Sequence, residues 1–291
     1  MAMMMMADAH AIGTLVAAHP LGWWLLGLAL ASLVGPASLW GLRTLRRHGG
    51  PWLHRALPSW TPTDARWVLL AGMAAAACAM VLAGSVIAEL AESGSERGAD
   101  DWGALDDAIA AGLRLQAPAE VLRFFATLTH LGDTAVLTAL TAAVGAALWW
   151  HGHRLLATGW LAAMAGNGVL TRILKAIFER ARPEHLHHGV AQADGYSFPS
   201  GHSSASMVAY TLLAYLATRL LPPRWHIPCA VLAGMLVFTT GWSRMVLQVH
   251  YASDVLAGWL LGGTWMVCTV LVIESVARWR RALPAAAPVR G

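Results

Sequence analysis

Three short segments interrupt an otherwise apolar chain with groups able to do chemistry. The first, 175–183, reads KAIFERARP. Lys175 and Arg182 are seven positions apart, close to two helical turns, so on a continuous helix they share a face and can hold an anion between them. The plainer reading is that both side chains snorkel to lipid headgroups. The second, 198–204, reads FPSGHSS. Pro199 and Gly201 shape a turn, and Ser200 is placed to cap the helix that follows. Free backbone N–H groups and the dipole at that helix start make a phosphate cradle into which His202 projects; a capped helix start is the simpler alternative. The third, 243–254, reads SRMVLQVHYASD. His250 and Asp254 stand at i and i+4, a spacing that lets the carboxylate hold one imidazole nitrogen and raise the basicity of the other. Arg244 supplies a planar fork suited to phosphoryl oxygens. Alone, this His–Asp pair also fits a proton relay or a structural hydrogen bond.

The elements that must position these groups are membrane spans. Hydrophobic residues make up 57% of the 291 positions and charged residues 12%, against about a quarter charged in soluble domains. Apolar runs near the ~20 residues needed to cross a bilayer occur at about 21–42, 67–90, 133–150, 155–175, 203–221, 227–247 and 254–277. The chain divides into 1–66 (a leader, an extra transmembrane helix and a cytoplasmic loop), a membrane domain at 67–277, and a cytoplasmic tail at 278–291. Met3 to Met6 read as a disordered leader. The first run is not a signal peptide, because nothing basic precedes it and Arg43, Arg46 and Arg47 follow it. Segment 104–130 is too polar to span, and Leu105, Ile109 and Leu113 give it one apolar stripe, as in an interfacial helix with Asp106 and Asp107 in its first turn.

Net charge is +4, but the arginines lie in short inter-helix loops, which argues against a nucleic-acid partner. Twelve of the 20 Lys and Arg residues fall in the loops 43–66, 151–154 and 219–226 and the tail. That asymmetry makes those loops cytoplasmic and puts all three chemical segments on the outer side. Cys78, Cys229 and Cys268 sit inside apolar runs and read as small buried residues, with no disulfide framework.

In order, the segments read K-x6-RP, PSGH and SR-x5-H-x3-D, and in this they closely resemble the bacterial membrane members of the type 2 phosphatidic acid phosphatase (PAP2) superfamily. The resemblance implies an all-α polytopic bundle, with a six-helix core and an additional N-terminal transmembrane helix. It also implies a phosphatase acting on a phosphorylated lipid in the bacterial cytoplasmic membrane, with no cofactor and no metal. By that resemblance His250 attacks phosphorus and forms a phosphohistidine, Asp254 orients it, and His202 protonates the leaving oxygen and then activates water. Lys175, Arg182, Ser200, Gly201 and Arg244 bind the phosphoryl oxygens. Undecaprenyl diphosphate, phosphatidylglycerol phosphate, phosphatidic acid and lipid A are all compatible substrates, because the motifs recognise only phosphate.

Other groups take plainer readings. His185, His187 and His188 lie in a Pro-flanked loop without an acidic partner at ligand spacing, so no zinc site is expected. Glu179 and Arg180 occupy unspecified positions of the first motif and are expected to pair with each other or with headgroups. His130 and Asp133 lie near a helix start, where capping is expected. A transporter would need ionisable groups at the midplane of several spans, and the spans from 203 to 277 are clean apart from their ends. A lipid phosphotransferase would use the same phosphohistidine, and the related vanadium haloperoxidases are soluble.

Overall fold

A computed structural model describes residues 2–56, 65–92, 101–183 and 193–282. Among them are ten α-helices and no strand: α1 (Ala2–Ala18), α2 (Pro20–Ala56), α3 (Ala65–Glu92), α4 (Asp101–Gln116), α5 (Ala119–Leu128), α6 (Thr134–Trp150), α7 (Arg154–Phe178), α8 (Gly201–Leu220), α9 (His226–Val246) and α10 (Ala252–Ala282). Helices are the only open-ended elements that satisfy every backbone group within lipid, so an apolar chain of this composition resolves into them.

Among the described residues, six segments are long and apolar enough to cross a membrane: Pro20–Gly41, Met73–Ala91, Ala119–Trp150, Arg154–Phe178, Pro223–Val246 and Ala252–Arg281. The seventh expected span is α8. It falls short in apolarity because its first turns carry His202, Ser203, Ser204 and Ser206, and the three serines are fully buried. Its polar groups face the protein, not lipid. Helix α10 lies along α3, α8 and α7, α8 packs on α9, and α6 on α7, which closes the six-helix core. Outward faces are apolar: Trp150 is 89% exposed, and Val81 and Leu33 are also open, as expected where the surrounding solvent is hydrocarbon.

Close approach of α8 and α10 depends on two glycines. A Cβ at Gly258 would meet the Ser200 carbonyl oxygen at 2.6 Å, and one at Gly262 would meet that of Ser204 at 2.5 Å. Small residues at such crossings let backbones meet within a bilayer. The α8 N-terminus is thereby pressed against the first turns of α10, and the second and third motifs become neighbours.

The N-terminal region departs from expectation. Residues 2–8, including Met3 to Met6, are helical within α1, which packs on α4. Helix α2 runs on to Ala56, so the first half of the presumed loop at 43–66 is helix, and α2 packs on α9. The expected interfacial stretch is two helices broken at Ala117–Pro118. Ile109 and Leu113 are buried in a cluster with Phe125, Val246 and Val249, so the α4 stripe serves packing. Helix α4 begins at Asp101, which places Asp106 beyond its first turn. Cys268 is buried, but Cys78 is exposed and Cys229 half-buried, and all three are free thiols. The loop histidines 185, 187 and 188 lie outside the described residues.

Candidate active site

The polar groups gather at one end of the bundle, where α7 ends, α8 and α10 begin, and α9 ends. Helix α7 stops at Phe178 because Glu179 turns left-handed, with φ 46°. Lys175 and Arg182 therefore do not share a helical face as their spacing suggested; Lys175 is in the last turn and Arg182 in the following loop. They converge nonetheless on the returning strand of chain. Lys175 Nζ donates to the carbonyls of Tyr196 and Ser197, the latter at 3.0 Å. Arg182 donates to the carbonyls of Asp194, Gly195, Tyr196 and Val249 at 2.7–3.2 Å. Both cations organise the approach to PSGH, and Arg182 also brings positive charge to the His250 ring.

Ser200 is the N-cap of α8, its Oγ accepting from the Ser203 N–H at 3.4 Å and from the Ser203 hydroxyl at 2.9 Å. Its own N–H donates to the Asp254 carbonyl at 3.0 Å, stitching α8 to α10. Gly201 opens the helix, with Thr171 Cγ2 as the nearest neighbour of a would-be Cβ at 3.7 Å.

His250 sits in the 247–251 turn between α9 and α10, so the His–Asp pair spans a turn and a helix start, not one helix face. The turn is shaped by Gln248 at φ 58°, a left-handed residue that redirects the chain. His250 Nδ1 lies 3.2 Å from Asp254 Oδ2, and Arg182 Nη1 lies 3.2 Å from His250 Nε2. A carboxylate only accepts and a guanidinium only donates, so the proton is on Nδ1 and the lone pair on Nε2. Burial holds the His250 pKa down at about 3, against the opposing pull of Asp254, and the ring is neutral at physiological pH. Asp254 is fully buried and accepts also from the Tyr251 N–H at 2.9 Å and the Ser197 hydroxyl. Arg244 is buried, and its Nη1 donates to Thr129 Oγ1 at 2.7 Å while its Nε has no protein partner. His202 Nε2 lies 3.0 Å from Asp133 Oδ1.

Four groups in this assembly were not assigned to it from sequence. Arg180 does not pair with Glu179 or reach for headgroups. Its guanidinium is buried between Asp254 Oδ1 at 2.9 Å, Asp106 Oδ2 at 3.0 Å and the Ser253 hydroxyl at 2.6 Å, and it stacks on Tyr251 at 4.4 Å. Asp106 also takes the Ser253 N–H at 3.0 Å, acting as a cap for α10 supplied by α4. Ser197, just ahead of the second motif, bridges His250 and Asp254. Asp133 occupies the N-cap position of α6 but makes no capping bond with its side chain. The only advance signal was negative: charged residues in a sparse set, at helix ends, whose company the sequence does not reveal.

Fold and site together define a multi-pass helical membrane protein with a buried His–Asp pair and converging cations at one end of its bundle. The profile of the PAP2 superfamily matches residues 156–278, which contain all three motifs. Among curated relatives, the lipid A 1-phosphatase of Rhizobium etli is 31% identical over 186 residues, covering 54% of this chain and 73% of that protein. The phosphatidylglycerophosphatase B of Bacillus subtilis is 29% identical over 156 residues, covering 53% and 76%. The crystal structure of a transmembrane PAP2-type phosphatidylglycerolphosphate phosphatase from Bacillus subtilis superposes with a TM-score of 0.59 at 26% identity, covering 65% of this chain and 93% of that one. The chain belongs to the PAP2 superfamily and is a multi-pass bacterial membrane protein.

Proposed function

We propose that this PAP2-type lipid phosphatase cleaves its phosphate ester or diphosphate through a phosphohistidine on His250. The observation that carries the reading is the tautomer of that ring. Nδ1–H is held by Asp254, and the Nε2 lone pair faces the Arg182 guanidinium. Phosphoryl oxygens entering beside Arg182 take over its donors, because a charge-assisted bond to phosphate outweighs one to a carbonyl. Nε2 is then free to attack in line. The bond from phosphorus to the leaving oxygen breaks as the bond to Nε2 forms. Asp254 stabilises the positive charge that develops on the imidazole without taking its proton, as in other His–carboxylate pairs. His202 donates a proton to the leaving oxygen, then removes one from the water that hydrolyses the intermediate. Lys175, Arg182 and Arg244, with Ser200 and the Gly201 N–H at the α8 start, neutralise the equatorial oxygens. Phosphoryl transfer requires mainly positioning and charge neutralisation, and these fixed cations fill the role that Mg²⁺ has in other phosphatases.

The six-helix unit at 67–277 carries this chemistry, with α2 an accessory span. The arginine asymmetry supports a site on the periplasmic side of the cytoplasmic membrane. The names of the relatives point to anionic lipids of the envelope, phosphatidylglycerol phosphate or lipid A, and undecaprenyl diphosphate offers the same phosphoryl group. The test is a phosphate-release panel of purified protein on those lipids, with and without an acceptor lipid. Wild-type protein forms an acid-labile, alkali-stable phosphoprotein during turnover, and His250→Ala forms none and releases no phosphate. Normal turnover by His250→Ala refutes the mechanism, and transfer to the acceptor in place of release makes the protein a phosphotransferase.

A further inference from the structure

The segment 129–133, reading THLGD, lies outside the three motifs and outside the matched residues 156–278, yet it wraps two of the groups assigned to the chemistry. Thr129 accepts from Arg244 at 2.7 Å. The Leu131 carbonyl accepts from the Tyr210 hydroxyl of α8 at 2.6 Å. At Gly132 a Cβ would lie 2.4 Å from Thr240 Cγ2 and 3.0 Å from His202 Cδ2, so the backbone is pressed against the His202 ring. Asp133 completes the wrap. As the N-cap residue of α6 its carboxylate would ordinarily bond the helix's free N–H groups. It makes none. One oxygen takes His202 Nε2 at 3.0 Å, and the other takes His130 Nδ1 at 2.6 Å. His130 is 68% exposed and Asp133 34%.

We infer that Asp133 is a positioning residue for His202, holding the proton on Nε2 so that Nδ1 faces the reaction, with His130 anchoring the carboxylate from the solvent side. The inference rests on the reading of His202 as the acid and base of the reaction. A carboxylate accepts only, so Nε2 is the protonated nitrogen in both charge states. In the cationic ring Nδ1–H gives its proton to the leaving oxygen as the P–O bond breaks and the bond to His250 Nε2 forms. In the neutral ring the Nδ1 lone pair takes a proton from water as the oxygen of that water attacks the phosphohistidine, which restores the cation. The charged groups facing His202 are Asp133 from the α6 start, Arg244 from α9 and Arg182 from the loop after α7. Asp133 is therefore the acidic group that opposes the two arginines at this ring.

Asp133→Asn keeps shape and removes charge, and its amide can donate to the ring and impose the wrong tautomer. The test compares two esters in pre-steady-state assays. One is a phospholipid monoester, whose alkoxide leaving group needs a proton; the other is p-nitrophenyl phosphate, whose leaving group does not. Loss of a general acid costs about 10²-fold or more, so Asp133→Asn slows phosphoenzyme formation from the lipid by that factor. From the nitrophenyl ester it leaves formation near wild type, and a burst of one equivalent precedes slow hydrolysis. Equal slowing of formation from both esters, or unchanged rates with both, overturns the assignment. Vanadate affinity close to wild type shows that Asp133→Asn keeps a folded anion site, and a large loss of that affinity likewise assigns Asp133 a structural role instead. Absence of any phosphoprotein in the wild type refutes the phosphohistidine reading, a separate outcome read from a separate sample.

Discussion

Arg180 offers the sharpest test of how the site is held. Its guanidinium joins three elements, Asp106 of α4 and Ser253 and Asp254 of α10, from the loop after α7. The side chains of Arg180, Asp106 and Asp254 are 8%, 2% and 0% exposed, so none of these charges is compensated by water. Arg180→Met keeps most of the volume and removes the charge. Removing one member of a buried ion pair costs about 3–5 kcal/mol, because the partner is left desolvated and unpaired, and here two carboxylates lose the same cation. Stacking on Tyr251 at 4.4 Å adds on the order of 1 kcal/mol. The expected loss is thus about 4–6 kcal/mol, reduced where Asp106 takes up a proton, since burial already pushes that carboxyl up. Activity falls further than stability predicts, because Asp254 loses the contact that fixes its unshared oxygen while still facing His250. The assay pairs unfolding in detergent with phosphate release at a temperature where the variant is folded. Asp106→Asn combined with Arg180→Met loses less than the sum of the single losses, the mark of a coupled pair. Arg180→Met within about 1 kcal/mol of wild type and with unchanged kcat refutes the reasoning, since it would mean the triad is no stronger than a surface pair.

Further outcomes follow from the same geometry. His250 binds a proton at pH 6.5 when unfolded but only near pH 3 when folded. The unfolded state therefore takes up the extra proton between those values, and stability falls as pH drops from about 6.5 toward 3; His250→Gln flattens that part of a thermal unfolding series. Gly258→Ala drives a methyl into the Ser200 carbonyl at 2.6 Å. It destabilises by about 1–3 kcal/mol and lowers kcat through the displaced α8 start, both measurable on purified protein. Vanadate inhibits competitively, while EDTA leaves phosphate release intact because Lys175, Arg182 and Arg244 supply the neutralising charge; strong EDTA inhibition reverses that conclusion.

Much of this protein was legible in its residues. An apolar chain with charges confined to segment ends must resolve into membrane helices, because lipid admits few other solutions for the backbone, and the motif order led to the PAP2 superfamily. Ser200 as a cap and His250 with Asp254 as a pair were local relations, settled within four residues of sequence, and both are found. Even there the helical premise failed: a left-handed Glu179 and a left-handed Gln248 end the helices early, and the partners meet across turns. Arg180, Asp106 and Asp133 were misread because their partners lie 69 to 74 positions away, or 147 in the case of Asp106 and Ser253. Local spacing favours caps and near neighbours for such residues. Only the packing of α4 against the α10 start removes Arg180 and Asp106 from water and makes a distant opposite charge their cheapest partner, and only that of the 129–133 turn against α8 brings Asp133 to His202.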